Sequence, residues 1–498
     1  MKNIEISLAA PLEYAKRLSP KINNESKTYG CRTKFMRDRD RILFSQAFRK
    51  SSGKTQIFPA NYGDTTRTRL THTLEVAQFA RTIAKILNLD VDLTEAIALG
   101  HDLGHTPFGH VGERTLNLIM NGCDILNVLD EKCPILREGE RGFKHNLQSV
   151  RVLTHLEQPF KRYPGLDLTN FTLWGIRQHT KLEWKSCIYK ETIKDHRGNF
   201  NCLRSFPPIN CPKNQLEVDF YKQYDKYLKL ENSDKPSWSF EAYVVKQCDE
   251  IAQRHHDLED ALCADLITDG QIIQEFERYL GDWIDNEVDR DNFAKLKMNK
   301  GKKDFPKHLS SFVVTFYLQQ LLSYSFDSLR VFIKQNAIHN EGWPKLYQNI
   351  NLEDVEKMIA FSEDFTKADH SFQQEFLKDV VMNSYRVQRM DGHGSYIIKK
   401  LFKAYLDNPE QLPDEVIYQL YKIYDFEYVD SVWNRYNAGD DTMEDDKIIA
   451  IIVGQLRNNL VQDRHKFDFR ARLSRVICDY ISGMTDAHAV KDYEDLYE

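Results

Sequence analysis

The stretch Gly100-His101-Asp102-Leu103-Gly104-His105-Thr106-Pro107-Phe108-Gly109-His110-Val111-Gly112-Glu113 sets three histidines, two acids and four glycines between two runs of helical period. Core packing alone does not require so many polar and flexible residues side by side. The apolar run before it opens at Asp92-Leu93-Thr94-Glu95, an Asp-x-x-Glu pair with capping-box spacing, and predicts a helix from Leu93 to about Gly104. Pro107 breaks that helix, because its ring removes a donor and the residue before it is disfavoured in helical geometry. A second helix is expected to start near His110, which sets His110 and Glu113 three apart on one face.

Adjacent His101 and Asp102 offer one imidazole nitrogen and one carboxylate oxygen, a mixture suited to Mn, Fe, Mg or Zn. Further ligands are needed to complete a site. Upstream, Arg69-Leu70-Thr71-His72-Thr73-Leu74-Glu75-Val76 begins an apolar helix with His72, Val76, Phe79 and Ile83 along one stripe. Downstream, Phe240 to Ala252 is again helical in pattern, with Val245, Asp249 and Ala252 on one face. His72, His101, Asp102 and Asp249 are therefore the candidate metal ligands. Arg69, three residues before His72, can grip a phosphate beside such an ion, as can His105 and, from the loop Gly53 to Gly63, Lys54. His110 and Glu113 make a plausible acid/base pair, the carboxylate orienting the imidazole.

This order of residues resembles the HD-domain metal phosphohydrolases. Five runs carry the likeness further: Gly53 to Pro59, Arg67 to Gln78, His101 to Glu113, His256-Asp257-Leu258-Glu259-Asp260-Ala261, and Asp479-Tyr480-Ile481-Ser482-Gly483-Met484-Thr485-Asp486. Together they are similar to the bacterial deoxyguanosinetriphosphate triphosphohydrolases, from about residue 30 to about 490. The resemblance implies cleavage of a dNTP, most directly dGTP, between the nucleoside 5′ oxygen and the α-phosphate, with release of deoxynucleoside and inorganic tripolyphosphate. It implies Mn2+ or Mg2+ as cofactor, with Fe and Zn left open, and it assigns Asp257 to the sugar 3′ hydroxyl. A homo-oligomer and a regulatory nucleotide are implied as well. Two positions expected near the sugar depart from the family pattern. Gln253 stands where a tyrosine is common, and Phe48-Arg49-Lys50-Ser51-Ser52 stands where the family commonly reads Phe-Arg-Arg-Leu-Gln.

The 498 residues contain few glycines and prolines, and helix-period runs outnumber alternating ones, so the fold class expected is mainly α: an HD-type helical core with a helical C-terminal half. A soft boundary is expected at the basic run Lys300-Gly301-Lys302-Lys303, dividing a core over 1–295 from a helical region over 296–498. Loop signals predict a surface excursion near 184–238, and Lys34 to Lys50 reads as an amphipathic helix with a solvated basic face. The formal charge of -6 gives no global attraction for nucleic acid or an anionic membrane. The aliphatic run Ile448 to Val453 is too short to span a bilayer, and Glu5 sits where a signal peptide needs apolar residues, so a cytoplasmic protein is expected. Nine scattered cysteines, none spaced Cys-x-x-Cys, suggest neither a disulfide framework nor a thiolate site. Two other functions compete with the first: an HD hydrolase of another nucleotide, and a single-stranded nucleic-acid-binding regulator whose HD site is not catalytic.

Overall fold

The computed structural model describes residues 4–17, 32–56, 67–123, 139–157, 165–180, 192–194, 200–202, 218–231, 233–338, 342–437, 445–463 and 466–497. The expected loop residues 57–63 and most of the expected excursion over 184–238 lie outside them. The elements that matter below are α1 (Lys34–Leu43), α2 (Arg69–Ile86), α3 (Val91–Gly100), α4 (Gly109–Met120), α5 (His145–Arg151), α6 (Asn170–Gln178), α7 (Phe240–Cys263), α8 (Phe305–Gln335), α9 (Asp414–Tyr424) and α10 (Phe467–Ser482). The described residues are mainly helical, as expected. Their one sheet pairs β1 (Thr192–Lys194) with β2 (Phe200–Cys202) in antiparallel register, Ile193 opposite Asn201.

The chain divides into two compact units that alternate along the sequence. The first comprises Met1–Asp102, Asp167–Thr180 and Lys226–Gly392; the second comprises Leu103–Leu166, Lys181–Asp225 and His393–Glu498. The boundary expected near 295 falls inside the first unit, within the helix Glu287–Met298.

In the first unit α3 is the central strut. Leu93, Ala96, Ile97, Ala98 and Leu99 are all buried, and from Ala96 onward the helix is enclosed on every side. It packs against α1, α2, α6 and α7, and α7 in turn carries α8. Its N-cap is Asp90, whose Oδ1 accepts from the Leu93 amide at 2.8 Å, and not the Asp92/Glu95 pair expected from spacing. Asp92 and Glu95 instead meet Arg39 of α1 at 2.8 and 3.5 Å. The helix also ends at Gly100, four residues earlier than expected. The run Lys34 to Lys50 forms two helices, because the Ser45 side chain accepts from the Phe48 amide and starts a new one at Gln46. Its basic face is partly paired: beside Arg39, Arg41 reaches Asp167 Oδ2 at 3.4 Å.

In the second unit α10 packs against α4 and α9, around a core that includes Leu116, Ile397, Phe402, Ile417 and Ile477. Here the run Asp479 to Asp486 acquires a physical meaning. Asp479 takes hydrogen bonds from Arg151 Nε at 2.9 Å and from Gln148 Nε2 at 2.9 Å, both on α5, with all three side chains buried. Asp486 Oδ1 accepts from the Phe108 amide at 3.0 Å. Phe108 has φ 60°, a left-handed conformation that is strained for an aromatic residue, and Asp486 helps hold it there.

Removing one partner of a buried pair strands the other charge. Asp479→Ala should therefore lower the unfolding free energy by about 3–5 kcal/mol in urea titrations, while Arg151→Met/Asp479→Leu recovers most of the loss. A second expectation concerns pH. Glu241 is fully buried and accepts from the amides of Asp90 at 2.8 Å and Ala10 at 3.2 Å. Burial, and then the charge of Asp90, push its carboxyl up to about 7 from 4.5. Between those values the native chain holds a proton that the unfolded chain has lost, so this contribution to stability declines as pH rises from about 4.5 to about 7. Urea midpoints measured across that window should fall less with pH in Glu241→Gln than in the parent chain.

Candidate metal centre and histidine cluster

In the first unit four helices bring polar side chains to one buried point. Thr68 caps α2, its Oγ1 accepting from the Thr71 amide and its own amide donating to Thr71 Oγ1, which puts Arg69 at the first helical position and His72 one turn in. His101 and Asp102 follow the last residue of α3. Asp249 sits in the middle of α7, and His179 directly follows α6. Two glycines let α3 and α6 touch: a Cβ on Gly100 would stand 2.4 Å from Ile176 Cδ1, and one on Gly175 would stand 2.4 Å from Ile97 Cδ1. That close approach brings the His101 and His179 rings to 5.0 Å between centroids.

The four expected ligands converge. His72 Nε2 lies 3.0 Å from Asp249 Oδ1 and 3.9 Å from Asp102 Oδ2, and His101 Nε2 lies 3.5 Å from Asp102 Oδ1 and 3.6 Å from Asp249 Oδ1. All four residues are buried. Burial would raise the Asp249 carboxyl, but His101 and His72 hold it well below the usual carboxylate range. Burial would lower His101, yet Asp102 and Asp249 push it up to about 9. His101 donates from Nδ1 to the Ala98 carbonyl at 2.7 Å, which turns its Nε2 toward the carboxylates. His179 does the same through Ile176 O at 2.6 Å, leaving Nε2 3.8 Å from Asp102 Oδ1.

His72 Nε2 and Asp249 Oδ1, 3.0 Å apart, can share a proton, or a divalent cation in its place. Ligand atoms of His72, His101 and Asp102 lie within 4.8 Å of one another, and two imidazoles with two carboxylates suit a divalent ion. The donor set therefore fits a metal. Arg69 is buried beside it, its Nη1 on Asp102 Oδ2 at 2.6 Å, while its Nε and Nη2 meet no acceptor among the described residues. Lys54 is also buried, and its carbonyl accepts from the Arg69 amide at 3.1 Å. Asp257 is half-buried two turns beyond Asp249 on α7, about 12 Å along the axis.

The second unit holds a further cluster. Glu113, one turn into α4, accepts at Oε1 from both the amide and Nδ1 of His145, at 3.0 and 2.9 Å. The expected partner His110 is looser, with Nδ1 3.6 Å from Glu113 Oε2 and a side chain 61% exposed. Burial would raise Glu113, but His145, His110 and His105 hold it well below the usual range. The His105 ring stacks on that of His145 with centroids 3.8 Å apart and planes 18° from parallel. Sequence reasoning reads the helices that carry His145 and His179 as walls of the pocket and singles out neither histidine as a site residue. Each sits in a run that reads as ordinary helix, and its partner is too far along the chain to leave a periodic signal.

Comparison with known proteins adds an independent line. The family model of the HD domain matches residues 69–204, and that of the phosphohydrolase-associated domain matches 359–422 and 443–495. A deoxyguanosinetriphosphate triphosphohydrolase-like protein of Rickettsia canadensis is 30% identical over 488 residues, 98% of each chain. Its namesake in Thiobacillus denitrificans is 30% identical over 468 residues, 94% of this chain and 91% of the relative. The one in Caulobacter vibrioides is 29% identical over 477 residues, 95% of this chain and 92% of the relative.

A ligand that binds only the native state raises its unfolding temperature. Mn2+ should therefore raise the unfolding temperature of the parent chain in a thermal melt, and Asp249→Ala should abolish that rise.

Proposed function

Because the chain belongs to the deoxyguanosinetriphosphate triphosphohydrolase-like family of HD-domain phosphohydrolases, we propose that it hydrolyses deoxynucleoside triphosphates, dGTP foremost, to deoxynucleoside and inorganic tripolyphosphate. The observation that carries this reading is the buried convergence of His72, His101, Asp102 and Asp249, with Arg69 beside it. These four side chains would hold the divalent ion, Mn2+ or Mg2+ in the first instance and Fe or Zn as alternatives. When bound, such an ion draws electron density from a phosphoryl group and screens the negative charge that develops during transfer.

The chain's own residues divide the remaining work. Arg69 spends one nitrogen on Asp102 and turns Nε and Nη2 to a phosphate oxygen. Lys54, adjoining the Arg69 amide, and His105 add positive charge for the rest of the polyphosphate. Only Leu103 and Gly104 stand between Asp102 and His105 in the chain. Water adds its hydroxyl to the α-phosphorus as the bond to the 5′ oxygen breaks; the proton the water sheds passes to solvent, and the 5′ oxygen takes up a proton. His110, exposed enough to exchange with solvent, supplies it, while Glu113 holds His145 and steadies His110. Asp257 accepts from the sugar 3′ hydroxyl, and Gln253 and Ser51-Ser52 adjust the fit to sugar and base. The same proposal has the enzyme working as a cytoplasmic homo-oligomer.

The test is product analysis by anion-exchange chromatography, with each dNTP and with their mixture, in Mn2+ or Mg2+, beside Asp102→Ala. Deoxynucleoside with tripolyphosphate, absent from the Asp102→Ala reaction, is the expected outcome. Mono- or diphosphate products would move the cut to another bond. Loss of general acid catalysis in His110→Ala should lower kcat by about 10²–10⁴.

A further inference from the structure

His72 faces the buried donor set through Nε2, and behind its Nδ1 stand a second histidine and a carboxylate. His72 Nδ1 lies 3.3 Å from Nδ1 of His256, and His256 Nε2 lies 2.7 Å from Glu75 Oε2. The two rings meet edge to face, with centroids 5.2 Å apart. Both are fully buried, whereas Glu75 is one-third exposed at 33%. Helical spacing builds the row: Glu75 is one turn after His72 on α2, and His256 is two turns after Asp249 on α7. The same two helices thus supply ligands and the groups behind them.

The hydrogens along this row can be counted. An ionised carboxylate only accepts, so the nitrogen of His256 that faces Glu75 carries a hydrogen. Two Nδ1 atoms 3.3 Å apart share a single hydrogen. With His256 neutral, its Nδ1 is the acceptor and the hydrogen belongs to His72, which leaves His72 Nε2 as a bare lone pair facing Asp249 Oδ1. The opposite placement would put a hydrogen on His72 Nε2 and block it as a ligand. We propose that Glu75 and His256 are positioning residues that hold His72 in its Nδ1–H tautomer, so that divalent-ion affinity depends on a carboxylate two side chains away from the ion. The proposal rests on the metal reading of the first unit.

Among the three inward-facing histidines this arrangement is peculiar to His72. His101 and His179 donate from Nδ1 to the main-chain carbonyls of Ala98 and Ile176, which no substitution removes. His72 relies on side chains, and those side chains are themselves fixed. Arg67 reaches Glu75 at 3.7 Å, Asp260 at 3.3 Å and Glu259, and His255 Nε2 faces Glu259 Oε2 at 3.0 Å. Glu75, His255 and His256 are close enough to hold an ion of their own. The Arg67 guanidinium, already paired with Glu75, Glu259 and Asp260, makes them a support for the row instead.

The experiment is calorimetric titration of Mn2+ into the full chain and into Glu75→Ala, Glu75→Gln, His256→Ala and Glu75→Ala/His256→Ala, with unfolding temperatures recorded alongside. Loss of an outer partner of a ligating histidine typically weakens metal binding about 10–100-fold, and that is the fall expected for Glu75→Ala and for His256→Ala at unchanged stoichiometry. Glu75→Gln keeps an oxygen for His256 and should bind close to the parent even where loss of its charge near Arg67 lowers the unfolding temperature. The double variant should bind no more weakly than His256→Ala, because both changes cut the same row. Equal affinity in the parent and Glu75→Ala, or Glu75→Gln falling as far as Glu75→Ala, overturns the proposal and leaves the metal reading intact. A second Mn2+ in the parent that Glu75→Ala loses also overturns it, by placing an ion on Glu75, His255 and His256. A parent chain that takes up no Mn2+ overturns both.

Discussion

A carboxylate removed from water is tolerated only where positive charge or hydrogen bonds meet it, and the first unit buries two of them within reach of one another. Asp249 is met by His72 and His101; Asp102 is met by Arg69 and, more distantly, by His179. These partners come from α2, α3, the end of α6 and α7, so the helices must cross where the charges are. Much of the unit's architecture follows. The bare faces of Gly100 and Gly175 let two helices touch, and the burial of α3 from Ala96 to Gly100 makes it the strut on which the others lean. A larger residue at either glycine would part the helices at the point where His101 and His179 leave them.

The second unit solves a different problem with similar residue types. Glu113 is buried and tied by two short bonds to His145, whereas His110 stays largely in solvent. One side chain in this cluster is thus fixed and another is open to solvent. That difference in burial separates their roles more sharply than their spacing of three residues does.

Much of the metal centre was legible because its ligands lie in short runs with strong local grammar: a histidine on an apolar stripe, a His-Asp pair closing a helix, an acid on the buried face of another. What was misread failed for identifiable reasons. Asp90 and Asp92 lie two apart at the helix start, and in the fold Asp90 caps it while Asp92 pairs with Arg39. The period from Lys34 to Lys50 is continuous, so nothing in it betrays the new start at Ser45. His145 meets Glu113 across 32 positions, and His179 meets Asp102 across a longer interval, distances at which periodicity carries no information. The alternation of the two units along the chain was invisible for the same reason, since a linear boundary cannot express that residues after His393 share a core with α4.

The bond from the Phe108 amide to Asp486 spans 378 positions. A ribosome working at about 5–20 residues per second makes the second partner between about 20 and 75 s after the first. Throughout that interval the left-handed turn before α4 lacks its acceptor, and α5 lacks the carboxylate of Asp479 for its arginine. The second unit therefore waits for the latest-made part of its own sequence, and its unpaired Arg151 and uncovered apolar residues are what a chaperone would find during the delay.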